Sequence, residues 1–208
     1  MNLLFLGGSI TDCHHSFDPE NLGNGYVRMI SNALSPSDPE LKISNKGIDG
    51  FTAARVNGMW KSLPDQEKER YDIVTVLVGI NDLGMWMEKG TSRNTADQSL
   101  EAFLATYQEL ICDILDFCIP KLILMEPFLF DRPAQYQLWM PYLTRMNQGI
   151  RALAFQYGVS WVPLQQRLSR EAGRLGTDRV TVDGIHLTEE GHKILARAWL
   201  EEAGLSVE

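Results

Sequence analysis

The chain has 208 residues, of which 44% are apolar and 22% charged, enough apolar surface to bury a core and no case for a disordered or coiled-coil chain. Its formal net charge of −8 argues against a sequence-independent grip on nucleic acid or an anionic membrane surface, and suits a neutral substrate. Cys13, Cys112 and Cys118 are odd in number with no zinc-like spacing, so free thiols are expected, the latter two buried in a helix. The start, "MNLLFLGG", lacks a basic n-region and a cleavage site, and no apolar run is long enough to span a bilayer, so a cytoplasmic location without a membrane partner is expected.

In chain order, "NLLFLG" (Asn2 to Gly7) reads as a short buried strand closed by glycine. Asp12 to Gly25 is rich in turn formers and reads as a loop. "GYVRMISNALS" (Gly25 to Ser35) has helical spacing at Tyr26, Met29, Ile30, Ala33 and Leu34. "LKISNKG" (Leu41 to Gly47) is a second strand, and the β-branched "DIVTVLVG" (Asp72 to Gly79) a third. A long amphipathic helix is predicted from Asp97 to Cys118, ended by Pro120, and "KLILMEPF" (Lys121 to Phe128) follows as a strand. Leu138 to Tyr157 reads as a helix stopped by Gly158, "VSWVPL" (Val159 to Leu164) as a fifth strand with Trp161 in the core, and Thr188 to Ala203 as the last helix. Strands alternating with helices call for a parallel sheet covered on both faces, in one domain spanning residues 1–208.

Open sheets of this kind bind ligands beyond the carboxyl ends of their strands, so the polar segments there matter most. "GGSITD" follows the first strand, "NKGIDGFT" (Asn45 to Thr52) the second, "GIND" (Gly79 to Asp82) the third, and "DGIHLTEEGH" (Asp183 to His192) precedes the last helix. Acyl transfer by a hydroxyl needs a base within hydrogen-bond reach and an acid to orient that base. Ser9 at a strand end can expose its hydroxyl, and Asp183 and His186, three apart, can share one side of a turn. Ser9 N–H, a backbone N–H of the "GIDGF" loop and the Asn81 amide are candidate donors to a developing oxyanion.

In this order the four segments resemble the blocks of the SGNH hydrolases, also called GDSL-type esterases, and the likeness runs from Leu3 to Leu200. The resemblance implies a flavodoxin-like three-layer α/β/α sandwich with about five parallel strands. It implies Ser9 as nucleophile, His186 as general base and acid, and Asp183 as the partner of the histidine. Ser9, Gly50 and Asn81 would form the oxyanion hole. Trp86, taken to lie in a loop after Asn81, together with Ile185 and Trp139, are candidates to line a substrate pocket. No cofactor and no metal are implied. "GNGYV", "GIND" and "LMEPF" resemble bacterial members similar to carbohydrate acetylesterases, so a small acyl ester of a sugar is the expected substrate, with a lysophospholipase or thioesterase on longer acyl chains, or a catalytically impaired binding protein of the same fold, as the rivals and a homo-oligomer as a compatible state. One departure from the family stands at Gly8, where its members carry aspartate; glycine there is expected to leave the turn freer.

Other readings of the same residues fit less well. His186 and His192 are six apart, which does not put two ligands on one helix face. "GGSITD" lacks the lysine of a phosphate-binding loop, and the G-x-S-x-G elbow fails at Thr11. Glu126 at the end of the fourth strand reads as a turn-satisfying carboxylate.

Overall fold

The computed structural model describes residues 1–88 and 93–205. Five strands, β1 (Asn2–Gly7), β2 (Lys42–Gly47), β3 (Ile73–Leu77), β4 (Lys121–Met125) and β5 (Ser160–Val162), form one sheet in the order β2-β1-β3-β4-β5. Every pairing is parallel, with Gly7 beside Gly47 on one side and Leu77 on the other. This is the doubly wound order whose strand direction of growth reverses between β1 and β3, which opens a crevice at their carboxyl ends.

The central strands are apolar on both faces because helices cover both. Leu3 and Phe5 of β1 point into a layer with Tyr26, Val27 and Ile30 of α2 (Tyr26–Leu34), Leu164 and Leu168 of α8 (Leu164–Leu175), and Leu195 and Trp199 of α9 (Glu189–Ala203). Leu4 and Leu6 point the other way, toward α3 (Ala53–Ser62), α6 (Arg93–Leu115) and α7 (Met140–Tyr157). The period-two alternation of a strand thus feeds two cores. In the first, Trp199 Nε1 donates to the buried Thr75 hydroxyl at 2.8 Å, so α9 is pinned to β3 by a satisfied polar contact as well as by burial. Thr188 caps α9 by accepting the Gly191 N–H at 3.2 Å, and Glu189 and Glu190 sit in its first turn where the helix dipole favours negative charge.

Several elements differ from the sequence expectation. The stretch after β1 is not all loop: α1 (Ser9–Asp12) and a 3₁₀ turn at His15–Phe17 lie in it. α3, the short α4 (Asp65–Lys68), α5 (Ile80–Glu88) and α8 also escape the pattern reading. The apolar face of α8 is only Leu164, Leu168 and Ala172, in an otherwise polar segment, and α5 begins inside the "GIND" motif. β4 stops at Met125 rather than Phe128. α6 ends at Leu115, so Cys118 falls in a turn and is exposed, while Cys112 is half-buried; all three cysteines are free. Trp161 is half-buried because β5 is an edge strand, and the Arg151 guanidinium covers its ring at 5.1 Å.

Candidate active site

The four polar segments meet at the carboxyl edge of β1, β2 and β3. Ser9 opens α1, and as the first residue of a helix it has an N–H without an intrahelical partner. The preceding carbonyl, that of Gly8, accepts from the N–H groups of Thr11 at 3.0 Å and Asp12 at 2.9 Å, which draws the chain into a tight turn and projects the Ser9 side chain outward.

The Asp183 carboxylate organises the opposite wall. Its Oδ1 accepts the N–H groups of Ile185 at 2.9 Å and His186 at 2.7 Å, and its Oδ2 lies 2.6 Å from His186 Nδ1. An ionised carboxylate only accepts, so the imidazole carries its hydrogen on Nδ1 and turns a bare Nε2 to Ser9 Oγ, 3.0 Å away. Burial works against the charge on Asp183, yet the hydrogen bonds from the His186 ring and from the two N–H groups outweigh it and hold the carboxyl below its usual range. Phe130 N–H donates to Gly184 O at 2.8 Å and fastens this turn to the loop after β4.

The Ile48–Phe51 turn is held from several sides. Ile48 N–H donates to Gly7 O at 3.1 Å, Asp49 N–H to Asp12 Oδ2 at 3.0 Å, and Phe51 O accepts from Asn81 Nδ2 at 3.0 Å. Asp82 accepts the Ala53 N–H with both oxygens, at 3.3 and 3.0 Å. Within that turn Gly50 has a positive φ of 72°, a conformation that favours glycine, and its N–H has no hydrogen-bond partner among the described residues. A Cβ at Gly8 would stand 3.0 Å from Asn81 Nδ2, close enough that the amide would have to give by a few tenths of an ångström. Asp12 and Asp82, the last residues of "GGSITD" and "GIND", are tethers that the sequence pattern did not reveal; Asp82, in the first turn of α5, accepts from the first N–H of α3 across the crevice.

Of the three pocket candidates, none joins Ser9 directly. Trp86 lies in α5, edge-on to Phe103 at 5.9 Å, and lines a separate cleft of about 510 Å³ with Thr52 and Asp82. Trp139 packs against Tyr136 with the rings tilted 53° and their centroids 4.7 Å apart, and rests against Gly84. Ile185 is half-buried between the two cores. The walls near Ser9 are others. Behind it lies a recess of about 20 Å³ lined by Gly8, Phe51, Asn81, Pro127 and Phe128, and in front an open groove of about 1340 Å³, of mixed polar and apolar lining, that His186 shares. Glu126 is buried, which raises its pKa, and it caps α8 by accepting Gln165 N–H at 3.2 Å.

A second histidine braces the site. Tyr26 N–H donates to Nδ1 of the buried His192 at 3.2 Å, so Nε2 carries the hydrogen and faces Cys13 Sγ at 3.4 Å. Burial lowers the His192 pKa from 6.5 to about 4, and burial pushes the Cys13 thiol up to about 12, so neither titrates as a competing base or nucleophile at neutral pH. Asp82 moves the other way, raised by burial from 3.8 to about 6. As pH falls from 6.5 to 4, unfolded His192 takes up a proton that the folded residue refuses, which costs stability. Between pH 6 and 3.8, folded Asp82 holds a proton that the unfolded residue releases, which adds stability on acidification. Each effect is about 3 kcal/mol, and they offset. Urea unfolding between pH 4 and 7 is therefore expected to show steeper acid loss in Asp82→Asn and the reverse trend in His192→Gln; identical slopes in both variants and the wild type would refute the pairing.

The chain belongs to the GDSL-like lipase/acylhydrolase family, whose model matches residues 5–194, and is a carboxylic-ester hydrolase. It is similar to an acetylxylan esterase of Geobacillus stearothermophilus, 29% identical over 211 residues that cover 97% of this chain and 93% of the relative. The crystal structure of Axe2, an acetylxylan esterase from the same organism, superposes with a TM-score of 0.80 at 26% identity, covering 99% of this chain and 94% of that one. A Parabacteroides merdae protein described as a GDSL-like lipase shares the fold with a TM-score of 0.86 at 22% identity, over 99% of this chain and 96% of its own. No described helix is long and apolar enough to cross a membrane.

Proposed function

We propose that this chain removes acetyl or another very small acyl group from a carbohydrate, through a covalent acyl-enzyme on Ser9. His186 Nε2 takes the Ser9 proton as Oγ attacks the ester carbonyl, and Asp183 stabilises the imidazolium that results. The oxyanion accepts from Ser9 N–H, Gly50 N–H and the Asn81 amide. His186 then gives its proton to the leaving sugar hydroxyl; water, activated by the same imidazole, attacks the acyl-serine and releases the acid. No cofactor enters the cycle.

The observation that carries this reading is the hydrogen-bonded row from Ser9 Oγ to His186 at 3.0 Å and from His186 to Asp183 at 2.6 Å, beside an apolar recess of about 20 Å³. A space of that size takes one water- or methyl-sized group, which favours acetyl over longer chains. Solved Axe2 variants described as catalytic mutants replace a serine, and an aspartate and a histidine three apart, by alanine, the residue types and spacing found here. A relative described as an acetyl-xylooligosaccharide esterase supports a sugar as the leaving group.

The test compares nitrophenyl acetate with nitrophenyl octanoate, and then acetylated xylo-oligosaccharides. Acetate is expected to be preferred by at least about 100-fold in kcat/KM, because each excess methylene must be forced into a filled recess. A preference for octanoate would point instead to a lysophospholipase or thioesterase.

A further inference from the structure

Between Ser9 and α2 the backbone passes through two successive non-glycine residues in the left-handed region, Cys13 at φ 40° and His14 at φ 61°. Such a conformation persists only where its surroundings over-determine it. Here Cys13 O accepts Asn24 N–H at 3.0 Å, Cys13 Sγ is held by Ile10 O at 3.2 Å and faces His192, and His15 places its ring nitrogen 2.8 Å from Asp12. The product of this turn is the His15–Phe17 segment, and the Phe17 ring it presents is 89% exposed. Exposing a phenyl ring to water gains the fold nothing.

Phe17 lines the same groove as Ser9 and His186. At about 1340 Å³ that groove exceeds the ~300–1,000 Å³ that holds a single small molecule, so it suits an extended ligand. Both cations lining it are already ion-paired: Arg28 with Asp18 at 2.5 Å and with Glu20, and Lys193 with Glu189 at 2.7 Å. Asp12 and Asp49 add further negative charge. An anionic phosphate headgroup meets no unpaired cation there, whereas hydroxyl groups find carboxylate and amide acceptors and an aromatic face.

We propose that this groove is the cleft for the leaving alcohol, an uncharged oligosaccharide, and that Phe17 is the platform on which a sugar ring beyond the acylated one stacks. The inference rests on the ester-hydrolase reading of Ser9 and His186, but its decisive test does not use turnover. Calorimetric titration of xylo-oligosaccharide stripped of acetyl groups should give a Kd that Phe17→Ala weakens about 3- to 10-fold, the worth of one aromatic contact, and that Phe17→Trp restores. In kinetics, Phe17→Ala should raise KM for the acetylated oligosaccharide by the same factor with kcat within about twofold. Phe155, 91% exposed on α7 and outside the groove, supplies the control: Phe155→Ala should move neither value. A Kd indifferent to Phe17→Ala, no binding by the wild type, or a change in oligomeric state by light scattering with KM unmoved would each overturn the proposal. If nitrophenyl acetate is not hydrolysed at all, it is the catalytic reading that has failed, and the titration still decides the role of Phe17.

Discussion

Ser9→Ala and His186→Ala are each expected to lower kcat for nitrophenyl acetate on the order of 10⁴- to 10⁶-fold, and the double variant no further. The reason is mutual dependence. Without the imidazole, Ser9 is an ordinary hydroxyl far above neutral pH in acidity, and without the hydroxyl the imidazole has no proton to take. Asp183→Asn should cost about 10⁴-fold, because an amide facing Nδ1 favours the wrong tautomer of His186 and cannot stabilise its cation. Steady-state rates, with covalent labelling of Ser9 by a fluorophosphonate, measure this directly. Labelling that persists in His186→Ala, or effects that multiply in the double variant, would break the unit apart.

Asn81→Ala is expected to lower kcat about 10²- to 10³-fold with little change in KM, as for loss of one oxyanion donor. The amide has two hydrogens, and one is committed to Phe51 O at 3.0 Å, which leaves the second for a ligand. The variant therefore also loosens the Ile48–Phe51 turn, and that contribution must be separated. Asp82→Asn weakens the neighbouring hold on Ala53 without removing the donor, so it should cost about tenfold or less in kcat. Equal losses in the two variants would assign Asn81 a tethering role only.

Much of the layout was readable from residue order. The apolar runs of β1, β3 and β4 announce buried parallel strands because both of their faces must be covered, and the polar segments after them fall on one edge by the rule of the architecture. The helices that pattern reading missed are those whose apolar face is thin, such as α8, or that start inside a motif, such as α5. Trp86 illustrates the consequence. Read as a loop residue near Asn81 it belongs to the crevice, but once Ile80–Glu88 coils into a helix its side chain is carried to Phe103 and a different cleft.

By itself, then, the amino-acid order determined the sheet, its sequence of loops and the residue types available for acyl transfer, since these depend on local periodicity and on spacing as short as that of Asp183 and His186. Only the tertiary structure decided which groups touch. The 3.0 Å approach of Ser9 to His186 joins residues 177 apart, Asp12 reaches across to the turn bearing Gly50 and Asp82 to the start of α3 just after it, and the strained Cys13–His14 backbone lifts Phe17 into the groove. Contacts between distant segments depend on how helices pack on two faces of a twisted sheet, and no local pattern carries that information.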